Sequence, residues 1–185
     1  MRLFAALMPP DEVLDEIEHA IAPHVGQVPG LRWPDRATWH ITLGFFGEVP
    51  EHVLPELQVR LARAVARHTS LDLAFTGFGA FSSARRARVF WAGLSGDSMI
   101  RLSESVRAGA RRAGAVQTDD KHFHPHLTLA RAKAEMDLRP LVESLSEFSG
   151  STWRAKAVHL VRSHQGAQMR YESLAQWDLA PIGRD

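Results

Sequence analysis

The chain has 185 residues, 45% of them hydrophobic, which is enough to form the core of a folded protein. The 22 lysines and arginines nearly balance 21 aspartates and glutamates, and the formal charge of +1 excludes a global positive field that would attract nucleic acid or an anionic membrane. Because the chain contains no cysteine, disulfides, thiolate metal sites and cysteine nucleophiles are excluded as well.

The first third of the chain predicts strands alternating with helices. Residues 2–8 are apolar and predict a strand, and Pro9-Pro10-Asp11-Glu12 opens a helix with apolar residues at helical spacing. Residues 39–46 are rich in β-branched and aromatic side chains and predict the next strand, which Gly47 closes. A second helix follows Pro50, because its leucines and valines recur with the helical period.

The middle of the chain predicts a hairpin and a long helix. Residues 71–78 and 88–94 predict two strands, joined by a long basic tip over residues 79–86. Asp97 begins a helix that Gly114 ends.

The last third repeats this order of elements. A polar connection leads into a strand that begins near His126, residues 137–148 predict a helix, and residues 153–162 and 169–179 predict two closing strands. Since each half then contains a strand, a helix and two strands in the same order, we expect an internal duplication with pseudo-twofold symmetry. The expected fold is α+β: a single bilobed domain over residues 1–185, with two antiparallel sheets facing a central groove and helices on the outer faces.

A short motif occurs once in each half of the chain. His40-Ile41-Thr42-Leu43 and His126-Leu127-Thr128-Leu129 share the pattern H-x-T-L, and both lie in predicted strands. Because side chains alternate along a strand, the histidine and the threonine of each motif face the same side. Two adjacent motif strands would present two imidazoles and two hydroxyls to one reactant.

These four side chains suit the hydrolysis of a cyclic phosphodiester. Such a reaction needs a base that takes a proton from water and an acid that protonates the departing oxygen, and histidine can do either near neutral pH. The hydroxyls of Thr42 and Thr128 can donate hydrogen bonds to the non-bridging oxygens as negative charge develops. We therefore expect catalysis with no metal or other cofactor.

The segments 39–47 and 123–131 resemble the paired signatures of the two-histidine (2H) phosphoesterases, within them the bacterial RNA 2′,3′-cyclic phosphodiesterases, formerly described as 2′-5′ RNA ligases. The resemblance implies that His40 and His126 are catalytic and that Thr42 and Thr128 bind phosphate. It also implies hydrolysis of RNA or nucleotide 2′,3′-cyclic phosphates to 2′-phosphomonoesters. We expect His126 to activate water and His40 to protonate the leaving 3′ oxygen, although the residues alone leave the reverse assignment open.

Arg131 matches the basic residue that closes the second motif in this family. It follows His126 by five positions, and an odd spacing turns a side chain to the opposite face of a regular strand. Arg131 can therefore bind the phosphate only if the strand bends or ends before it.

Further residues are candidates for binding the base or the RNA backbone. Phe45, Phe123 and Tyr171 can stack on a nucleobase, and Arg85 in the basic hairpin tip can contact phosphates. Aromatic residues of apolar strands are also ordinary core residues, and charged tips are often simply solvated.

Several alternatives remain open at this point. His122, His124 and His126 alternate beside two aspartates in a pattern that can bind zinc, although Pro125 argues against a regular strand there. The same groove could join RNA ends through 2′-5′ bonds, or act on another cyclic phosphate such as ADP-ribose 1″,2″-cyclic phosphate.

The expected partners are RNA termini or small cyclic nucleotides, with no membrane involved. We expect a cytoplasmic protein, since the apolar opening is too short for a secretory segment and no stretch is long enough to span a membrane. We also expect it to be a monomer.

Overall fold

A computed structural model describes residues 1–183 of the chain, which form ten strands and four α-helices. In chain order these are β1 (Arg2–Leu7), α1 (Asp11–Ile21), β2 (Leu31–Arg32), β3 (Ile41–Glu48), α2 (Leu54–Val65), β4 (Leu71–Leu73), β5 (Phe75–Ser82), β6 (Ala87–Leu94), α3 (Asp97–Ala113), β7 (His126–Met136), α4 (Arg139–Ser144), β8 (Trp153–Ala155), β9 (Ala157–His164) and β10 (Arg170–Asp178). Within these residues, none of the helices has both the length and the apolar composition needed to cross a membrane.

The main sheet has two lobes that meet at the motif strands. Its strands follow the order β10-β9-β1-β3-β7-β6-β5, with β2 beside β7, and every pair in it is antiparallel. Within the sheet, the two lobes meet at a single pair of residues, Ile41 of β3 with Leu127 of β7. The α+β, bilobed architecture predicted from the sequence is thus confirmed, with the two motif strands side by side at its centre.

Helices cover one face of the sheet and leave the other face open. The buried sides of α1, α2 and α3 pack on strand residues in one large apolar cluster that contains Ile41, Leu43, Phe46 and Leu127. A second, small cluster of Phe4, Ala6 and Val161 lies apart from it, with Phe45 and Tyr171 against it. Because Phe4 and Ala6 alternate with the core residues of β1, this second cluster marks the open face.

The predicted hairpin differs from the observed one. The strand expected over residues 71–78 is split into β4 and β5, and β5 continues to Ser82, which shortens the tip to residues 83–86. Gly79, the first residue of the predicted tip, lies inside the strand and pairs with Trp91. The reason is steric, since a Cβ atom at Gly79 would overlap the Trp91 ring.

The closing elements also differ from those predicted. The helix expected over residues 137–148 is limited to α4, which begins with a proline in its first turn and ends at Ser144. The strand expected over residues 153–162 is divided into β8 and β9. The short strand β8 pairs with β4 in a separate two-stranded ladder, so each motif strand is followed by a helix, a short strand and a strand pair.

Candidate active site

The two H-x-T motifs face the open side of the sheet. Ile41 and Leu127, which join the motif strands, are completely buried in the core, so their neighbours in each strand point the other way. In an antiparallel pair this register sets Thr42 across from His126, and His40 across from Thr128. Each histidine therefore lies beside the threonine of its own motif and opposite the threonine of the other.

His40 is held in place through both of its ring nitrogens. Its Nδ1 lies 2.8 Å from the carbonyl oxygen of Thr38, and its Nε2 lies 2.9 Å from the Thr42 hydroxyl. The ring stacks on Phe4 at 4.6 Å between centroids and meets the Tyr171 ring edge-on at 5.1 Å. Because a carbonyl only accepts, Nδ1 carries the hydrogen, and the neutral ring keeps its lone pair on Nε2.

His126 repeats this arrangement in the second lobe. Its Nδ1 lies 2.6 Å from the carbonyl oxygen of His124, again two residues earlier in the chain. Its ring meets the Phe81 ring edge-on at 4.9 Å. Both motif histidines are therefore fixed in the same tautomer, with Nε2 as the atom available for proton transfer.

Burial favours the neutral form of both motif histidines. Desolvation lowers the pKa of His40 to about 4, and the positive charges of His126 and Arg131 act in the same direction, opposed by the hydrogen bond to Thr38. Desolvation also lowers the pKa of His126, with His124 and Arg131 adding to the effect against the hydrogen bond to the His124 carbonyl. A bound phosphate anion would favour the protonated rings and raise both pKa values.

Arg131 reaches the open face because β7 contains a bulge. Thr128 pairs with Trp91 and Ala130 pairs with Phe90, so Leu129 is an extra residue in β7. The bulge shifts the alternation by one position and turns Arg131 to the face of the motif histidine, despite the odd spacing. Consistent with this placement, its charge lowers the pKa values of both His40 and His126.

A second bulge occupies the equivalent position in β3. Thr42 pairs with Ala6 and Gly44 pairs with Ala5, which leaves Leu43 as the extra residue. Its carbonyl accepts a hydrogen bond of 2.5 Å from the fully buried Ser103 hydroxyl. This bulge turns Phe45 to the open face, so that Phe45 and Arg131 occupy matching positions in the two lobes.

Arg107 of α3 connects the two motif segments from behind the sheet. A Cβ atom at Gly44 would come within 2.7 Å of the Arg107 side chain, so the close packing at the β3 bulge depends on a glycine there. The Arg107 guanidinium donates a hydrogen bond of 2.7 Å to the carbonyl of Lys121, in the loop that leads to His126. One side chain thus contacts the first motif strand and the approach to the second.

The second lobe has an aromatic surface beside His126. The Trp91 ring lies across Gly79 and Gly93, where an added Cβ atom would overlap it or come within 2.8 Å. The Phe81 and His124 rings pack against it at 5.3 and 4.8 Å. Trp91 and Phe81 are not among the residues predicted from the sequence; the signal for Trp91 was the pair of glycines at positions 79 and 93, which leave room for a large ring.

The first lobe has an aromatic floor beside His40. Tyr171, on β10, meets the Phe4 ring edge-on at 5.3 Å and is close enough to contact His40. Burial raises the pKa of the Tyr171 phenol, opposed by the positive charges of Arg131 and Arg2. Tyr171 and Phe45, both selected from the sequence, therefore lie in the groove.

Two other candidates lie elsewhere. Phe123 packs against the main core. Arg85 lies in the hairpin tip, at the end of β6 that pairs with Met136, whereas the other end of β6 pairs with His126. Its charge acts on the carboxylate of Asp137. Within residues 1–183, no three histidine or carboxylate side chains come together in a way that could hold a metal ion.

Comparison with known proteins identifies the family. The family model described as the 2′-5′ RNA ligase superfamily matches residues 9–167. The chain belongs to this superfamily. It is 36% identical over 174 residues to a protein of Thermus thermophilus named RNA 2′,3′-cyclic phosphodiesterase, covering 88% of this chain and 82% of that protein. A protein of Escherichia coli with the same name is 32% identical over 180 residues, which is 96% of each chain.

The fold of this superfamily member also matches a solved structure. The crystal structure of TT0787 from Thermus thermophilus superposes with a TM-score of 0.81 at 30% sequence identity, over 99% of this chain and 100% of that one. The family resemblance inferred from the two H-x-T-L motifs is confirmed.

Proposed function

We propose that the protein hydrolyses RNA or nucleotide 2′,3′-cyclic phosphates to 2′-phosphomonoesters by general acid–base catalysis with His40 and His126. One observation supports this activity above all: each histidine donates from Nδ1 to the carbonyl two residues before it, which leaves two Nε2 atoms in one groove. The names of the relatives in Thermus thermophilus and Escherichia coli agree with this substrate class. We further propose that the enzyme acts as a monomer in the cytoplasm, the compartment that holds RNA.

In the proposed reaction His126 is the base and His40 the acid. Nε2 of His126 removes a proton from a water molecule as the water oxygen attacks phosphorus. The bond from phosphorus to the 3′ oxygen breaks on the opposite side, and Nε2 of His40 gives its proton to that oxygen. The products are a 3′ hydroxyl and a 2′-phosphomonoester, and exchange with solvent returns each histidine to its starting state.

Contacts at Nε2 support this assignment of roles. Nε2 of His40 lies 2.9 Å from the Thr42 hydroxyl, whereas Nε2 of His126 has no hydrogen-bond partner within residues 1–183 and can accept from water. As the acid, His40 must be protonated in the substrate complex, and the negative charge of the phosphate favours this by opposing the desolvation and the positive charges that lower the His40 pKa.

Thr42, Thr128 and Arg131 stabilise the charge that develops at phosphorus. The two hydroxyls lie on the face of the motif histidines and can donate to the non-bridging oxygens. The β7 bulge directs the Arg131 guanidinium to the same face. Because the groove is partly desolvated, each of these donors is worth more to the transition state than it would be in water.

A product analysis tests the reaction and its direction. Incubation of the protein with adenosine 2′,3′-cyclic phosphate in excess EDTA should yield adenosine 2′-phosphate, separated from the 3′ isomer by chromatography. Formation of the 3′ isomer would contradict the assignment of the leaving oxygen, and loss of activity with EDTA would contradict a metal-free mechanism. His52→Ala, which removes an exposed histidine of another segment, is the control for variants of His40 and His126.

A further inference from the structure

We infer that Arg2 forms a second phosphate subsite, which binds the phosphate one nucleotide upstream of the cyclic end and makes RNA termini better substrates than cyclic nucleosides. This inference rests on the proposed function, because it extends the substrate of the same groove.

The placement of Arg2 on β1 directs its side chain into the groove. Phe4 and Ala6 belong to the cluster on the open face, and β1 pairs with β9 in a regular register from Arg2 to Ala6. Because side chains alternate along the strand, Arg2 lies on the same face as Phe4 and Ala6. Its guanidinium lies over the Phe45 ring, 5.0 Å from the ring centroid.

Pseudo-symmetry relates this position to the catalytic phosphate. Phe45 in β3 matches Arg131 in β7, since each follows its motif histidine by five residues and one bulge. At this position the second lobe has the guanidinium of Arg131, whereas the first lobe has the ring of Phe45 with the guanidinium of Arg2 above it. The open face thus carries arginine side chains on both sides of the motif histidines: Arg131, with its strand partner Arg32, on one side and Arg2 on the other.

Tyr171 lies between the reacting centre and Arg2. Its ring contacts His40 at 5.1 Å, while its backbone pairs with Ser163, which in turn pairs with Arg2. The charges of both Arg131 and Arg2 act on the Tyr171 phenol and oppose the rise of its pKa. An apolar floor of Phe4 and Phe45, suited to a ribose or a base, therefore separates two cationic positions.

The guanidinium of Arg2 is available for a ligand. The carboxylate facing it across the strand pair belongs to Glu48, and that carboxylate lies 3.3 Å from the amino group of Met1. Arg2 makes no ion pair with another side chain of residues 1–183 and is exposed. In a chain with a net charge of only +1, attraction of the RNA backbone depends on local cations of this kind.

The test compares two substrates that differ only in the upstream phosphate. Adenosine 2′,3′-cyclic phosphate is assayed with and without a 5′-phosphate, using the wild type, Arg2→Gln, and the control Arg63→Gln on the outer helix α2. We expect the 5′-phosphate to raise kcat/KM roughly five- to tenfold in the wild type and in Arg63→Gln, as an exposed charge-assisted contact does. In Arg2→Gln the ratio should fall to about one, and Arg2→Lys should retain part of it.

The outcomes separate the subsite from the reaction. If the wild type hydrolyses both substrates with equal kcat/KM, or if Arg2→Gln keeps the preference, the subsite is refuted while the proposed function stands. If the wild type hydrolyses neither, the proposed function fails and this inference with it. Calorimetry provides a readout without turnover: adenosine 2′,5′-bisphosphate should bind more tightly than adenosine 2′-phosphate, and Arg2→Gln should remove the difference.

Discussion

The low pKa of His40 predicts a specific dependence of protein stability on pH. In the folded protein burial lowers this pKa to about 4, whereas an unfolded chain has the ordinary value of about 6.5. Below pH 6.5 the unfolded state therefore binds more protons than the folded state. The stability that the neutral ring contributes is complete above pH 6.5 and is lost as the pH falls towards 4.

The size of the effect follows from these two values. The free energy of unfolding should fall through His40 alone by about 2 kcal/mol at pH 5 and by about 3 kcal/mol at pH 4, relative to pH 7. His40→Gln removes this contribution but leaves that of His126, whose pKa is lowered as well. Between pH 7 and pH 5 the free energy of unfolding should therefore fall by about 2 kcal/mol less in the variant than in the wild type.

Urea unfolding at a series of pH values measures this difference. His52→Gln, which removes an exposed histidine outside the groove, controls for the loss of a histidine as such. If the stability of His40→Gln runs parallel to that of the wild type from pH 7 to pH 4, burial does not govern the protonation of His40, and the electrostatic account of the groove is wrong.

Four further predictions concern activity. His40→Ala and His126→Ala should each lower kcat by roughly 10²- to 10⁴-fold in steady-state assays, and unchanged turnover would contradict their roles. In the wild type kcat/KM should be highest below pH 6.5, because both histidine pKa values are lowered in the free enzyme; a maximum at pH 8 would refute this. Arg131→Gln should weaken inhibition by adenosine 2′-phosphate roughly tenfold or more and move the pH profile upward, since its charge lowers both pKa values. Gly79→Val should displace the Trp91 ring and raise KM more than it lowers kcat, and an unchanged KM would exclude that ring from substrate binding.

The central features of the site could be predicted from the sequence because they depend on local periodicity. A histidine and a threonine two positions apart share a face in any regular strand, and the repetition of this motif predicts two strands that contribute to one site. The pairing of Ile41 with Leu127 confirms that these strands are neighbours. No knowledge of distant contacts was needed for this step.

The bulges could not be predicted in this way, because they are set by partner strands. Leu43 and Leu129 look like ordinary apolar strand residues. Only their lack of a partner on the neighbouring strand shows that the alternation of side chains between the two faces shifts by one position there. The orientation of Phe45 and Arg131 depends on that change. For the same reason the sequence places Gly79 in the hairpin tip, although it lies in a strand and accommodates the ring of a residue twelve positions away.

The order of strands in the main sheet has a consequence for how the protein folds. The lobe that carries His40 combines β1 and β3, from the start of the chain, with β9 and β10, from its end. The lobe that carries His126 is built from the middle of the chain, with β2 added at β7. The His40 lobe therefore becomes complete only when the last strands join it. A chain still being synthesised cannot assemble both halves of the groove, so the two imidazoles are brought together only when the whole domain has folded.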